Sequence, residues 1–192
     1  MTGFRLDKGG LIERRQKINF RFNGQQVTGF KGDTIASALM ASGHMLVGRS
    51  FKYHRPRGIM SAGVEEGGAL FNTGDGAARV PNVKGTVTEI SEGLRVYSQN
   101  VFPSPGFDLG AVNGLIAPFI TAGFYYKTFM GPFANTKFWM LCERFIRRAA
   151  GLGQASREAD PSTYDIANGF CDTLVIGSGP AGLTAAAGLA EK

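Results

Sequence analysis

The stretch KINFRFNGQQVTGFKGDTIASALMASG, residues 17–43, decides the fold of the first half of the chain. Ile18, Phe20 and Phe22 alternate with Asn19 and Arg21, the period of two that marks a half-buried strand. Asn23-Gly24 follows, and both residues tolerate positive φ, so a tight hairpin turn is expected, with Gln25 to Phe30 as the return strand. Asp33 or Thr34 can then cap a helix running through Ser42, with Ile35, Ala38 and Leu39 on one face. Gly43 suits the left-handed position that ends it. A hairpin followed by a helix is the opening of a β-grasp domain.

Working outward, residues 1–17 are polar and basic and read as an extended arm. Downstream, Met45–Val47 and Ala69–Phe71 are weaker strand candidates. Val83–Ile90 and Leu94–Ser98 read as a second hairpin around Ser91-Glu92-Gly93. Residues 101–141 change character: seven Phe, two Tyr, one Trp and four Pro. No charge occurs between Asp108 and Lys127, which brings this stretch close to the length of a membrane helix. Asn113, Pro118 and several glycines argue against insertion, and a core-wrapping strap or a partner surface is expected instead. Asn135 should cap a helix to Ala150, with Phe138, Leu141, Cys142, Phe145 and Ala149 as its apolar stripe and Glu143 paired with Arg147 four residues on. Residues 151–170 read as a polar linker.

Asp172–Ile176 then reads as a short strand. It enters Gly177-Ser178-Gly179-Pro180-Ala181-Gly182 and the helix-forming run LTAAAGLA. Strand, G-x-G-x-x-G and helix begin a dinucleotide-binding Rossmann unit. Gly177 permits the tight turn, Gly179 the approach of a pyrophosphate, and Gly182 the close packing of helix on strand. The amides at the helix N-terminus favour the anion. The acidic residue expected about 20 positions further on, to bind the ribose, would fall beyond Lys192, so the sequence reads as ending inside a domain.

Composition narrows the function. The chain has 192 residues, 43% hydrophobic and 19% charged, which excludes a disordered tail. The net charge of +6 is concentrated before Gly58, where an anionic cofactor or an acidic partner is a better match than nucleic acid, since no helix–turn–helix, zinc or base-stacking motif accompanies it. Two cysteines and no signal peptide point to the cytoplasm with both thiols reduced.

With these motifs in place, a resemblance can be stated. SFKYHRPRGIMSAGVEE (50–66), SQNVFPSPGFDLGAVNGLIAPFITAGFYYKTFM (98–130), IRRAAGLGQASREADP (146–161) and CDTLVIGSGPAGLTAAAGLA (171–190) resemble the N-terminal part of the alpha subunits of heterotetrameric sarcosine oxidases. Hydrogen cyanide synthase and opine oxidase subunits share the layout and tend to carry iron–sulfur cysteines after the RPRG segment. Here Ser61-Ala62-Gly63-Val64-Glu65-Glu66-Gly67-Gly68 follows, without cysteine, and a plant-type [2Fe–2S] cluster needs four thiolates.

The resemblance implies an α+β chain in three parts. Residues 1–100 would be a ferredoxin-like β-grasp domain without an iron–sulfur cluster. Residues 101–170 would be an aromatic strap, helix and linker, and residues 171–192 the first βα of a truncated Rossmann domain. It implies oxidative demethylation of sarcosine to glycine with oxygen, giving hydrogen peroxide and formaldehyde or methylenetetrahydrofolate. NAD would bind the alpha subunit, with Gly177, Ser178, Gly179, Pro180, Ala181 and Gly182 at its phosphates. FMN would lie between alpha and beta, FAD in beta, and tetrahydrofolate in a later domain. Beta, gamma and delta subunits would be the partners, with neither nucleic acid nor membrane, and no catalytic residue would fall in 1–192. A subunit of a related hydrogen cyanide synthase or opine oxidase, and a non-catalytic assembly module, remain the alternatives.

Smaller features carry two readings each. His54, within Lys52-Tyr53-His54-Arg55-Pro56-Arg57, could serve an anion site or pack in a loop. His44 reads as a surface residue, Cys142 as core, Cys171 as unactivated, and Glu65-Glu66 as a solvated turn.

Overall fold

A computed structural model describes residues 4–115, 117–119, 140–144, 147 and 151–190. The chain forms two compact units, Met1–Pro161 and Ser162–Lys192.

In the first unit, β1 (Glu13–Phe22) and β2 (Gln25–Lys31) form the expected antiparallel hairpin, with Phe20 opposite Val27. Asn23 (φ 48°) and Gly24 (φ 84°) supply the two positive-φ residues of its turn. α1 (Ile35–Ala41) follows, and Thr34 is its N-cap. The Thr34 hydroxyl accepts from the Ser37 amide at 3.2 Å, and the Ser37 hydroxyl accepts from the Thr34 amide at 2.9 Å, a reciprocal capping box. Gly29 on β2 lets the helix lie close: a Cβ there would come within 2.5 Å of Ile90 and 3.0 Å of the Ala38 methyl.

Five further strands follow among the described residues: β3 (Gly48–Arg49), β4 (Pro56–Arg57), β5 (Leu70–Thr73), β6 (Val80–Lys84) and β7 (Arg95–Ser98). The main sheet runs β2-β1-β7-β5-β6, with β1 and β7 parallel at its centre, and β3 pairs with β4 in a separate ribbon. The inward residues of β1, β2, β5 and β7 meet Ile35, Ala38 and Leu39 of α1. Phe20, Phe22, Val27, Phe71, Ile90 and Val96 are all buried in this core. Phe22 and Phe71 meet edge to face at 5.9 Å. Each large apolar side chain so buried contributes about 1.5–3 kcal/mol.

Several expectations are corrected. The second hairpin does not form. β6 pairs with β5, while both edges of β7 are taken by β1 and β5, which leaves none for β6. The alternation in Val83–Ile90 instead serves a connection that carries Ile90 into the core. Ser91-Glu92-Gly93 is still a turn, with Gly93 at φ 74° and its amide on the Asn19 carbonyl at 2.8 Å. The strand expected at Met45–Val47 is displaced to Gly48–Arg49, with Val47 buried just before it and its amide on the Arg57 carbonyl at 3.0 Å. β1 starts at Glu13 and so absorbs part of the arm assigned to residues 1–17. The polar segment from Gly151 docks rather than hangs free: Gly153 donates to Asn82 at 2.9 Å, and Gln99 donates to the Gly151 carbonyl at 3.1 Å.

Residues 140–144 and 147 are helical, Cys142 is buried, and Arg147 pairs with Glu143 at 2.6 Å. The N-cap expected at Asn135, the stripe residues Phe138, Phe145 and Ala149, and most of the aromatic strap lie outside the described residues. No helix among the described residues is long and apolar enough to cross a membrane.

In the second unit α2 spans Pro180–Ala190. The strand expected at Asp172–Ile176 is absent. Those residues form no ladder with any described residue, and Leu174 and Ile176 are exposed. A strand exists only by hydrogen bonding to a neighbour, so propensity alone does not make one.

Candidate functional site

The glycine loop keeps its local geometry without a flanking sheet. Gly177 has φ 111°, a conformation that favours glycine. A Cβ on Gly182 would fall on the carbonyl oxygen of Gly177, so no side chain fits there. A Cβ on Gly179 would meet nothing within 4 Å, so the backbone at that point is open to a ligand. Pro180 starts the helix, where its missing N–H costs nothing. The Leu183 amide bonds the Gly179 carbonyl at 3.0 Å, and the amides of Ala181 and Gly182 precede it in the first turn. These residues fit the pyrophosphate of a dinucleotide: one closed position, one open position, and backbone donors at a positive helix end.

Among the described residues of the first unit, three carboxylates are buried, each held by backbone amides. Asp33, 1% exposed, takes a two-pronged ion pair from Arg5 at 2.6 and 3.1 Å, the Phe30 amide at 2.8 Å and the Ser37 hydroxyl at 2.8 Å. Arg5 also lies 4.9 Å over the Phe30 ring. Burial opposes ionisation of Asp33, but these donors and the Arg5 charge outweigh it and hold the carboxyl below its usual range.

Asp108 is the second. It accepts from the Phe102 amide at 2.9 Å and the Gly110 amide at 3.3 Å, and its other oxygen lies 2.6 Å from His54 Nδ1. Burial again opposes the charge, and the Phe102 amide and His54 prevail, so the carboxyl is lowered. The His54 ring ties the 50–57 segment to the start of the strap. Arg49 reinforces that junction, donating to the carbonyls of Pro105 at 2.7 Å and His54 at 3.1 Å. Lys52 and Arg55 lie 5.0 and 4.9 Å from the Tyr53 ring.

Glu66 is the third. It is 3% exposed, beside an exposed Glu65, so the reading of both as a solvated turn is corrected for Glu66. Its carboxylate accepts from the amides of Met60 (2.7 Å), Ser61 (2.6 Å) and Gly68 (2.6 Å). Burial raises its pKa, and the Gly68, Ser61 and Met60 amides overcome that and lower it.

Sequence reasoning missed Asp108 and Glu66. Asp108 stands 54 residues from its histidine, and only its place as the last charge before an uncharged run marked it. His44 is not a free surface residue, since its ring meets Phe22 edge to face at 5.6 Å. Cys171 is exposed.

Comparison with known proteins gives the class first. Residues 15–101 match the family model described as a 2Fe-2S iron-sulfur cluster binding domain, so the chain carries a domain of ferredoxin type. Over 97% of its length it is 55% identical to the sarcosine oxidase subunit alpha of Rhizobium meliloti (strain 1021). Over 93% it is 32% identical to that of Corynebacterium sp. (strain U-96). The chain is similar to sarcosine oxidase alpha subunits and spans 19% and 14% of the length of these two relatives. Among solved structures, L-proline dehydrogenase from P. horikoshii aligns with a TM-score of 0.38 and 17% identity over 48% of this chain and 17% of that one.

The residues present do not fit the cluster for which the matched domain is named. Four thiolates hold such a cluster, and the cysteines of this chain, Cys142 and Cys171, both lie outside residues 15–101.

Proposed function

We propose that the chain is the N-terminal part of the alpha subunit of a multi-subunit sarcosine oxidase. In this reading the whole enzyme demethylates sarcosine oxidatively, giving glycine, hydrogen peroxide and formaldehyde or methylenetetrahydrofolate. The observation that carries it is 55% identity maintained over 97% of the chain.

Within that enzyme, residues 171–192 open the NAD-binding domain, and Gly177, Ser178, Gly179, Pro180, Ala181 and Gly182 hold the pyrophosphate through backbone amides. The open space at Gly179 and the closed one at Gly182 support this assignment. This chain's own residues bind and orient the phosphates of NAD. Residues 1–100 act as a ferredoxin-type domain that carries no cluster, and 101–170 as strap, helix and linker. FMN at the alpha–beta boundary, FAD in beta and tetrahydrofolate in a later domain complete the cofactors. Beta, gamma and delta subunits are the partners, in the cytoplasm, and the amine chemistry lies outside residues 1–192.

The test is co-expression of the complete alpha subunit with its partner subunits, followed by oxygen uptake on sarcosine. Sarcosine-dependent hydrogen peroxide is the expected product. A purified complex that holds flavin but oxidises a different amine, and leaves sarcosine untouched, refutes the substrate.

A further inference from the structure

The loop from Gly58 to Gly68 has no helix or strand, yet it is ordered around one side chain. Glu66 is the sole buried residue between those positions, while Met60, Val64 and Glu65 face solvent. No apolar core of its own holds the segment between Met60 and Gly68. Three amides from both ends of the loop converge on the two carboxylate oxygens, Met60 and Ser61 on one, Gly68 on the other. The fit is close. A Cβ on Gly68 would come within 2.9 Å of a Glu66 oxygen and of the Gly58 carbonyl. Among the described residues no ion pair neutralises Glu66, so its buried charge is balanced chiefly by the amides of Gly68, Ser61 and Met60, with the Ser61 side chain beside them.

Concave sets of backbone amides are the usual protein receptor for compact anions, iron–sulfur groups among them. This one lies inside residues 15–101, the domain that matches a cluster-binding family and has no thiol to bind a cluster. We propose that Glu66 is the resident anion of an iron–sulfur-type amide nest: its carboxylate fills the place of a metal–sulfur group and orders residues 58–68 without metal. Two further bonds fasten the filled loop to the residues at and after β6, from Lys84 to the Val64 carbonyl at 2.6 Å and from the Thr86 hydroxyl to the Gly63 carbonyl at 2.7 Å. The inference rests on the ferredoxin-type match and not on the amine substrate, so failure of the sarcosine assay leaves it standing.

Amide hydrogen exchange on the ¹⁵N-labelled chain tests it. In Glu66→Ala the amides of Met60, Ser61 and Gly68 are expected to exchange at least tenfold faster, with those of Phe20 and Val96 unchanged. Formate, a free carboxylate of the right size, is expected to restore that protection where chloride at equal ionic strength does not. Unchanged exchange of the three amides overturns the proposal, because the loop then needs no anion. Protection that is lost and not restored by formate also overturns it, because Glu66 then acts by bulk alone. Should Glu66→Ala fail to fold, the unaltered chain decides. On acidification the three amide shifts are expected to titrate with the Glu66 carboxyl carbon at one midpoint, and separate midpoints overturn the assignment.

Discussion

Two glycine-rich loops in this chain gather backbone amides, and they do so to opposite ends. The loop at 58–68 closes on a carboxylate of its own, Glu66. The loop at 177–182 has open space at Gly179 and first-turn amides that precede the helix's own bonding. The first unit supplies its own anions throughout: Asp33, Glu66 and Asp108 are all buried, and all accept backbone N–H groups. The second buries no residue of α2, whose first-turn amides stand at an exposed helix end. A converging set of amides thus specifies an anion but not its source. What distinguishes the two loops is whether a carboxylate within a few residues can fold back into the nest.

The largest effect should come from removing an internal anion. Asp33→Ala strands Arg5, the Phe30 amide and the Ser37 hydroxyl, and breaking a buried pair of this kind costs about 3–5 kcal/mol. Urea denaturation of the first unit should show that loss. A change below about 1 kcal/mol would mean that the Arg5 contact behaves as an exposed pair and that the N-terminal arm is not anchored by it.

Next is the external-anion loop. Gly182→Ala places a methyl on the Gly177 carbonyl, a backbone atom that can yield only by opening the turn. In the complete alpha subunit, NAD affinity should fall about 100-fold, roughly 2.8 kcal/mol, with the first unit's urea midpoint unchanged. Undiminished NAD binding would remove the proposed role of this loop.

Acid should separate the two units without a mutation. Asp33, Glu66 and Asp108 all have folded pKa values below their ordinary 3.8, 4.5 and 3.8. Between the folded and ordinary values the unfolded chain binds more protons, so stability rises with pH there. The contribution is complete above about pH 4.5 and is lost as pH falls through the folded values. The urea midpoint of the first unit should be flat near neutrality and decline below that point. A midpoint that climbs on acidification would contradict the ionised state of these groups.

The legible and illegible parts of the molecule divide along the same line. The β1–β2 hairpin, its Asn23-Gly24 turn and the Thr34 cap could be read because each is a local pattern with a local cause. The positive-φ turn at Gly177 and the closed position at Gly182 are local features of the same kind. Glu66 could not, since its burial depends on amides at both ends of a loop that follows no periodicity. Asp108 could not, because its histidine is 54 residues away. The false second hairpin shows the converse failure. Val83–Ile90 alternates as a strand should, but pairing is decided by which sheet edges remain free, and β7 had none to offer.

The smallest effect is the sharpest discriminator between a loop that uses a side chain and one that uses backbone. Ser178→Ala deletes the one hydroxyl in the glycine loop and leaves every amide in place. If the phosphates are held by main-chain donors, NAD affinity in the complete subunit should change by less than about twofold, well under 1 kcal/mol. Equilibrium titration of nucleotide-free subunit measures it. A loss of about tenfold or more, some 1.4 kcal/mol, would place a side-chain hydrogen bond at the centre of the site. The two loops would then resemble each other more closely than their backbones suggest, each depending on a single polar side chain, with Ser178 reaching outward to a ligand and Glu66 reaching inward to the chain.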